Sequence, residues 1–312
     1  MERLRLPSRL RRGATIGLTA PASPPPSVAT VAKAVKYLRG KGYGVVYGDS
    51  IGASGYGYLA GDDELRASEI EAMFADPSID AVFCVRGGYG SARLLPLIDY
   101  RLIRRRPKIF VGYSDITALS LAFWSQTRMP TFAGPMPVSD MGKPLDAESE
   151  RSLWDTLCRA RQEYTVFRAA RSLYETIVPG VCEGRLLGGN LTIVTSLLGT
   201  PFEPDWRGCI LALEDDGEHV YRIDRMLCHL RNAGVIRGAR GVLLGAFTSI
   251  PPDEPNREFR DVLFEYFAPA GVPVLSAPLF GHINPKYTLP IGAWVRLDAG
   301  RGSLRVVERV LR

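Results

Sequence analysis

One ten-residue stretch organises the rest of this chain: Lys108-Ile109-Phe110-Val111-Gly112-Tyr113-Ser114-Asp115-Ile116-Thr117. Its apolar run ends at Gly112, and a serine and an aspartate follow one residue later. An apolar stretch with good helix formers continues from 118 to 124. This order predicts a strand, a sharp turn and a helix, with Ser114 on the turn. Such a turn raises a serine oxygen above the sheet, beside backbone N–H groups that can hold an oxyanion.

Two interpretations of Ser114 are open on this stretch alone. In the first, Ser114 is a nucleophile on a strained strand-to-helix turn. In the second, Ser114 or Asp115 is the N-cap of the helix, a common role for both residue types. The Gly-x-Ser-x-Gly form of the nucleophile turn is incomplete, because Ile116 occupies the position of the second glycine. The stretch by itself favours the capping role, so the remainder of the chain has to decide.

Composition excludes several classes of protein. The 312 residues are 46% hydrophobic and 23% charged, which is typical of a globular chain with a sizeable core. The net charge of +6 comes from scattered basic residues without interleaved aromatic residues, so we expect no nucleic-acid partner. No apolar run approaches the roughly 20 residues of a membrane span, so we expect no membrane partner. The five widely spaced cysteines fit neither a disulfide framework nor a zinc site, and they suit a reducing compartment.

Strand and helix patterns alternate through the first half of the chain. Continuous apolar runs, such as 81–85 and 109–111, are typical of strands buried on both faces of a parallel sheet. We therefore predict an α/β fold with two domains. Residues 1–150 would form an open parallel sheet with helices on both faces, and residues 170–312 a mixed α/β domain. A change of composition after Pro130 places the boundary between about 137 and 180.

A glycine-rich loop, Arg86-Gly87-Gly88-Tyr89-Gly90, follows the strand pattern at 81–85. It lacks the Lys-Ser/Thr of a P-loop and does not fit Gly-x-Gly-x-x-Gly, so phosphate binding is weakly supported. The loop and Ser114 both follow strands of one predicted sheet, and ligands bind at the carboxyl ends of such strands. We therefore predict that the N–H of Gly88, or of Gly87, helps to hold an oxyanion near Ser114.

A serine nucleophile needs a base, and the chain has three histidines. His229 falls in a helical pattern and His219 in a polar turn, which favours structural roles for both. His282 follows a glycine in a proline-containing loop that would present its ring rigidly. His282 is therefore the leading candidate for the base, with a structural loop histidine as the alternative.

The base in turn needs a carboxylate that orients it. Glu214 ends a continuous apolar strand pattern, where a buried carboxylate requires a partner such as an imidazolium. Asp215 and Asp216 enter the following turn, where Asp commonly bonds to the backbone. The order Ser114, Glu214, His282 is the nucleophile–acid–base order of many hydrolases. Metal binding is the rival role for these groups, but the sequence has no His or Cys spacing typical of a metal site.

Several motifs together resemble the LD-carboxypeptidase family of serine peptidases, which includes muramoyltetrapeptide carboxypeptidases and microcin C self-immunity peptidases. The matching segments are IGLTAPAS at 16–23, RGGYG at 86–90, VGYSD at 111–115, GGNL at 188–191, LED at 213–215, YRIDRML at 221–227, GH at 281–282 and TLPIG at 288–292. The resemblance runs from about residue 14 to 300. It implies a triad of Ser114, His282 and Glu214. It further implies oxyanion donors at the backbone of Asp115 and Gly88, an active site between the two domains and a homodimer.

The resemblance also implies a function. We expect a cytoplasmic serine carboxypeptidase without metal or cofactor, which acts on a small peptide. It would hydrolyse the L,D bond to the terminal D-alanine of murein tetrapeptides during peptidoglycan recycling. Arg86 and Gly87 are candidate substrate-binding residues, Arg86 through a substrate carboxylate.

Two alternatives stay open. The first is an immunity-type peptidase that cleaves peptidyl-nucleotides similar to microcin C. It would need an aromatic shelf for the base, which the loop from Met136 to Arg159, with Trp154, could supply, although a helical tryptophan is more often part of the core. The second is a non-catalytic module that binds an anionic ligand at the 86–90 loop.

Overall fold

The computed structural model describes residues 4–53, 56–143, 145–252 and 258–312. In this part of the chain the strands form two β-sheets, against which the helices pack. The first half contains, in order, β1 (Thr15–Thr19), α1 (Val28–Gly40), β2 (Gly44–Tyr47), α2 (Asp63–Ala75), β3 (Ala81–Cys84), α3 (Tyr100–Arg105), β4 (Ile109–Val111), α4 (Thr117–Thr127), β5 (Thr131–Ala133) and α5 (Ala147–Cys158). The second half contains β6 (Tyr164–Arg168), β7 (Glu175–Val178), β8 (Val181–Asn190), α6 (Leu191–Ser196), β9 (Cys209–Asp216), α7 (Val220–Asn232), α8 (Val235–Gly238), β10 (Gly241–Thr248), α9 (Phe259–Phe267), β11 (Val274–Ser276), β12 (Leu289–Ile291), β13 (Trp294–Asp298) and β14 (Ser303–Val306).

The first sheet has the strand order β12-β5-β4-β3-β1-β2. Its five strands from the first half of the chain are parallel, which confirms the predicted parallel sheet. The sixth strand, β12, pairs antiparallel with β5, with Leu289 opposite Ala133. The sequence predicts only a loop at β12. The strand has three residues and includes Pro290, and a proline is compatible with a sheet mainly on an edge strand such as this one.

The second sheet is mixed, as predicted, with the order β6-β14-β13-β8-β9-β10-β11-β7. Its centre, β8 to β11, is parallel, and the strands on both sides of this centre are antiparallel. The edge strands β6 and β7 were not predicted, because each is short and carries no continuous apolar run. The central β9 has seven buried residues out of eight, which explains its clear sequence signal.

Three loops of the first sheet lie side by side. Strands β1, β3 and β4 are adjacent and parallel, so their carboxyl ends meet at one edge. The loops that leave this edge contain Ser23, Gly87 with Gly88, and Ser114. Because β3 and β4 are buried along their full length, the polar groups near them are concentrated in these loops.

A close glycine contact brings the second sheet to this edge. Gly189 of β8 lies against Thr117 at the start of α4, and a Cβ on Gly189 would be 2.5 Å from the Thr117 Oγ1. The N–H of Asn190 donates to the same oxygen at 3.2 Å. Asn190 is paired with Glu214 of the neighbouring strand β9. This packing carries Glu214 toward the turn that contains Ser114.

The division into domains 1–150 and 170–312 stays a prediction. Strand β12 crosses this division, since residues 289–291 add to the sheet formed by the first half of the chain. Within the ranges that the structure covers, no helix has both the length and the apolar character needed to cross a bilayer.

Candidate active site

Ser114 lies on a tight and strained turn. Its φ of 65° is in the left-handed region, which a residue with a Cβ adopts only at a cost. Gly112 permits the turn, because a Cβ there would be 2.6 Å from the Ile116 side chain that folds back over it. Ile116 therefore occupies the site of the second motif glycine without disturbing the turn.

Neither Ser114 nor Asp115 caps α4, although the stretch by itself favours that role. The N-cap of α4 is Ile116, and no side chain caps this helix. The Asp115 carboxylate instead accepts the N–H of Ser91 at 2.9 Å, and the Ser91 hydroxyl donates to the Asp115 carbonyl at 2.6 Å. Ser114 is half-buried at the sheet edge.

A continuous hydrogen-bonded chain joins Ser114, His282 and Glu214. The Ser114 Oγ is 3.0 Å from the His282 Nε2, and the His282 Nδ1 is 2.8 Å from the Glu214 Oε2. The His282 side chain is 21% exposed and that of Glu214 is 3% exposed, so the chain runs from the surface into the interior. The structure thus brings together the three residues that sequence reasoning selected from distant segments.

Gly281 allows His282 to approach Glu214. Its φ is 105°, and a Cβ at this position would be 2.7 Å from the Glu214 Oε2. The remaining histidines lie elsewhere: His219 is at the N-cap of α7, tilted against Tyr221, and His229 is exposed on the same helix.

Glu214 and His282 influence each other's titration. Burial raises the pKa of the Glu214 carboxyl above its ordinary range, and the hydrogen bond from His282 offsets part of this effect. Burial by itself lowers the pKa of His282, but the hydrogen bond and charge of Glu214, with a smaller contribution from Asp216, outweigh it. The pKa of His282 is therefore raised, which is the expected effect of a buried carboxylate on the imidazolium.

The glycine-rich loop lies directly over the serine. A Cβ on Gly87 would be 2.8 Å from the Ser114 Cβ, 2.9 Å from its Oγ and 3.3 Å from the N of Asp115. The N–H groups of Gly88 and Asp115 have no hydrogen-bond acceptor among the residues that the structure describes. Backbone N–H groups without an acceptor are what an oxyanion hole requires, and this role for Gly88 and Asp115 stays a prediction.

Ser23 supports this loop, and sequence reasoning gave it no role. Its Oγ accepts the N–H of Tyr89 at 3.2 Å, and its N–H approaches the Gly87 carbonyl at 3.4 Å. Gly88, with a φ of 113°, leaves the space that Ser23 fills, since a Cβ there would be 2.3 Å from the Ser23 Oγ. The only sign of Ser23 in the sequence was its position at the end of the segment IGLTAPAS at 16–23.

Arg86 lies beside the same loop. One guanidinium nitrogen donates to the carbonyl of Pro24 at 3.2 Å, and the side chain is half-buried. This bond holds the guanidinium between the loops after β1 and β3. Its role toward a substrate stays a prediction, as does that of Gly87.

The arrangement is suited to acyl transfer through a serine. It combines a serine, a histidine in hydrogen-bond contact with it and a buried carboxylate behind the histidine, which are the groups that such chemistry requires. The described ranges contain no group of three or more His, Cys, Asp or Glu side chains that could hold a metal ion. A cavity of about 750 Å³ between α1 and β2 contains none of these residues, so it is separate from the site.

Family models match most of the chain. Residues 16–134 match the LD-carboxypeptidase N-terminal domain, and residues 183–297 match the LD-carboxypeptidase C-terminal domain. The first match contains Ser114, and the second contains Glu214 and His282.

Individual relatives match over nearly their full lengths. The probable murein peptide carboxypeptidase of Bacillus subtilis is 41% identical over 92% of this chain and 89% of its own. The murein tetrapeptide carboxypeptidase of Pseudomonas aeruginosa is 34% identical over 79% of this chain and 81% of its own. Among solved structures, wild-type microcin C7 self-immunity protein MccF, a protein of Escherichia coli, superposes with a TM-score of 0.92. That structure is 27% identical and covers 98% of this chain and 99% of its own.

Proposed function

This chain belongs to the LD-carboxypeptidase family, and we propose that it is a serine carboxypeptidase that removes the terminal D-alanine of murein tetrapeptides. The observation that carries the proposal is the hydrogen-bonded chain from the Ser114 Oγ through His282 to Glu214. The bond cleaved is the L,D peptide bond to that D-alanine. The names of the Bacillus and Pseudomonas relatives support a murein peptide as the substrate.

The first half-reaction forms an acyl-enzyme. The Ser114 Oγ attacks the carbonyl carbon while its proton passes to the Nε2 of His282. Glu214 keeps the Nδ1–H of the ring directed at itself and stabilises the imidazolium. The carbonyl oxygen becomes negative and accepts the N–H groups of Asp115 and Gly88.

Collapse of this intermediate breaks the C–N bond, and His282 gives its proton to the amine of the departing D-alanine. A water molecule then enters and is deprotonated by His282 as it attacks the acyl carbon. Release of the shortened peptide returns the proton to Ser114. We assign to Arg86 the binding of the terminal carboxylate of the substrate, which would restrict the enzyme to a chain end.

A peptidase acting on peptidyl-nucleotides is the competing function, because the likeness to MccF extends over almost the whole chain. The contacts of Trp154, the candidate for the aromatic shelf, argue against that role. Its ring stacks on Tyr43 with centroids 5.0 Å apart, and its N–H donates to the Tyr37 hydroxyl. Assays of a murein tetrapeptide and a peptidyl-adenylate with the same enzyme preparation decide between the two substrates.

Ser114→Ala tests the mechanism. We expect turnover to fall by roughly 10⁴–10⁶ with the fold retained, because triad residues act as a unit. Ser120→Ala is the matched control, since Ser120 is buried on α4 and its hydroxyl has no hydrogen-bond partner among the described residues. A folded Ser114→Ala protein that keeps more than a tenth of the activity would exclude Ser114 as the nucleophile.

Two further assays separate the proposed enzyme from other classes. A fluorophosphonate probe should label the wild type at Ser114 and leave Ser114→Ala unlabelled, whereas a non-catalytic anion-binding module would not be labelled at all. A chelator should leave turnover unchanged. Loss of activity in EDTA that zinc restores would replace the serine mechanism by a metal-dependent one.

We further propose that the enzyme works in the cytoplasm, in peptidoglycan recycling, as a homodimer. The five free cysteines are compatible with a reducing compartment. Sedimentation equilibrium tests the dimer, and cell fractionation with an antibody tests the compartment. A monomer at micromolar concentration would remove the dimer from the proposal without affecting the chemistry.

A further inference from the structure

Lys286 is a buried cation close to the proposed triad, and the mechanism proposed above does not use it. It follows His282 by four residues in the same loop, and its relative exposure is 4%. Its Nζ donates to the Tyr113 hydroxyl and to the Asp140 Oδ1, both at 2.7 Å. A lysine this deeply buried needs partners that satisfy its charge. The Tyr113 hydroxyl and the Asp140 carboxylate are those partners here.

Tyr113 links this ion pair to the reacting groups. It directly precedes Ser114 in the chain, and its ring meets that of His282 edge-on, with centroids 5.1 Å apart and planes at 65°. The Lys286 Nζ lies 4.1 Å from the centre of the Tyr113 ring. Lys286 therefore contacts an aromatic side chain that packs against His282 and directly precedes the serine.

The other ends of the arrangement are also anchored. Asp140 accepts the Met136 N–H through its second oxygen at 2.7 Å, and the Lys286 N–H donates to the Ser149 Oγ of α5 at 2.8 Å. The pair thus ties together three separate segments: the turn with Tyr113, the segment after β5 and the loop that carries His282. The pair therefore connects the turn that precedes Ser114 to the loop that carries His282.

The charge of Lys286 faces the triad as well. Lys286 and Glu214 line the same cavity of about 20 Å³, and the Glu214 Oε1 is buried without a hydrogen-bond partner in the described part of the chain. In such a poorly solvated region, charges interact more strongly than they do in water.

The charged and titratable groups around His282 come from several elements. Glu214 and Asp216 of β9 favour its protonated form, and Lys286 from its own loop opposes it. Tyr113, from the serine turn, is neutral, because burial and the charge of Asp140 raise its pKa well above the ordinary value. Asp140 lies behind Tyr113, where it neutralises Lys286.

We propose that Lys286 is a positioning residue: with Asp140 it holds Tyr113 against His282, and its positive charge offsets part of the negative charge around the imidazole. The catalytic meaning of this arrangement rests on the proposed function. The electrostatic part does not, because it concerns the equilibrium titration of His282 in the resting protein.

The test is an NMR titration of the His282 ring, assigned by replacing His219 and His229 by Gln in turn. Lys286→Met should shift the His282 titration to higher pH, because a cation is lost. Asp140→Asn should shift it to lower pH, because Lys286 then loses its counter-charge. Lys286→Arg, which keeps the charge, should restore a titration close to that of the wild type.

Lys108→Met is the matched control. Lys108 is also buried, at 8% exposure, but it precedes β4, at the end of that strand opposite the Ser114 turn, where its Nζ donates to the Met73 carbonyl. This variant removes the same charge and should leave the His282 titration unchanged. A lysine with a purely structural role at 286 would lower stability in both Lys286→Met and Asp140→Asn without opposite shifts.

Activity assays complete the test. In Lys286→Met, kcat should fall by roughly ten- to a hundredfold at the pH optimum with KM changed much less, since the reacting atoms are misaligned. Shifts of the His282 titration in the same direction for Lys286→Met and Asp140→Asn, or no shifts, would overturn the proposal. If Lys286→Met does not fold, Asp140→Asn decides alone, and the absence of a downward shift overturns the proposal.

The two proposals fail in different ways. Opposite shifts in a protein that hydrolyses no murein peptide would support the role of Lys286 in the titration of His282 and reject the proposed substrate. Full hydrolysis without opposite shifts would keep the proposed function and reject this inference.

Discussion

Glu214 and Asp215 are neighbours in β9 and serve different partners. The Glu214 Oε2 lies 2.8 Å from the His282 Nδ1. Asp215 accepts four donors on the other side of the strand: the Asn190 side chain, the N–H and hydroxyl of Thr192, and the N–H of Asp216. Successive strand side chains point to opposite faces, so one acid faces the histidine while the other fixes the start of α6.

This relationship predicts opposite consequences for two similar substitutions. Glu214→Gln should lower turnover strongly, because the amide favours the wrong tautomer of His282, and the same kind of change costs about 10⁴ in a serine protease triad. Asp215→Asn should lower turnover far less and instead reduce the free energy of unfolding by about 1–3 kcal/mol, since buried donors lose a charged acceptor. Steady-state kinetics and urea unfolding of both variants check this. If Asp215→Asn loses most of its turnover while Glu214→Gln stays nearly normal, then Asp215, and not Glu214, is the acid that orients His282.

The pH dependence of kcat/KM follows from the raised pKa of His282. His282 must be neutral to accept the Ser114 proton, so activity falls as the pH drops through this pKa. The acid limb should therefore lie above about 6.5, the ordinary value for histidine. In Glu214→Gln the main influence that raises the pKa is removed, so the acid limb should move to lower pH. An acid limb in the wild type that lies below 6.5 would contradict the geometry of the pair.

Gly87→Ala should damage the chemistry with little effect on the fold. The new methyl group would lie 2.8–2.9 Å from the Ser114 Cβ and Oγ, so the serine or the loop has to move. A displacement of about 1 Å can cost roughly a hundredfold in rate, which is the loss we expect in kcat. Gly40→Ala is the control, since a Cβ there meets nothing within 4 Å and a helical alanine is more stable than glycine. Gly87→Ala with wild-type kcat would remove the loop from the reaction.

The strain at Ser114 predicts a gain in stability when it is released. At a φ of 65°, a residue with a Cβ costs about 1–2 kcal/mol, and glycine avoids most of this cost. Ser114→Gly should therefore unfold at higher urea concentration than Ser114→Ala, which keeps the Cβ and the strain. Both variants lack the hydroxyl, so the difference in stability between them reports the backbone strain alone. Equal midpoints for the two variants would show that the turn is not strained.

Much of this site could be inferred from sequence because the signals are local. Gly112 beside Ser114, Gly281 beside His282 and the acid at the end of an apolar strand each reflect a backbone constraint within a few residues. The strand β12 gave no such signal, since Pro290 and a length of three residues are typical of a loop. Lys286 and Ser23 were also missed, because a buried lysine and a loop serine have the same sequence appearance as exposed ones.

The sequence by itself determined most of the buried strands, β12 excepted, together with the residue types that follow them, because hydrophobic period and turn chemistry act over short distances. Only the tertiary structure decided which of these ends meet. The left-handed turn removes Ser114 from a capping role, and the packing of Gly189 on Thr117 carries Glu214 to that turn. The pairing of Lys286 with Asp140 then depends on three segments separated by many residues. Such contacts follow from how the two sheets pack together, and no local pattern of residues specifies that packing.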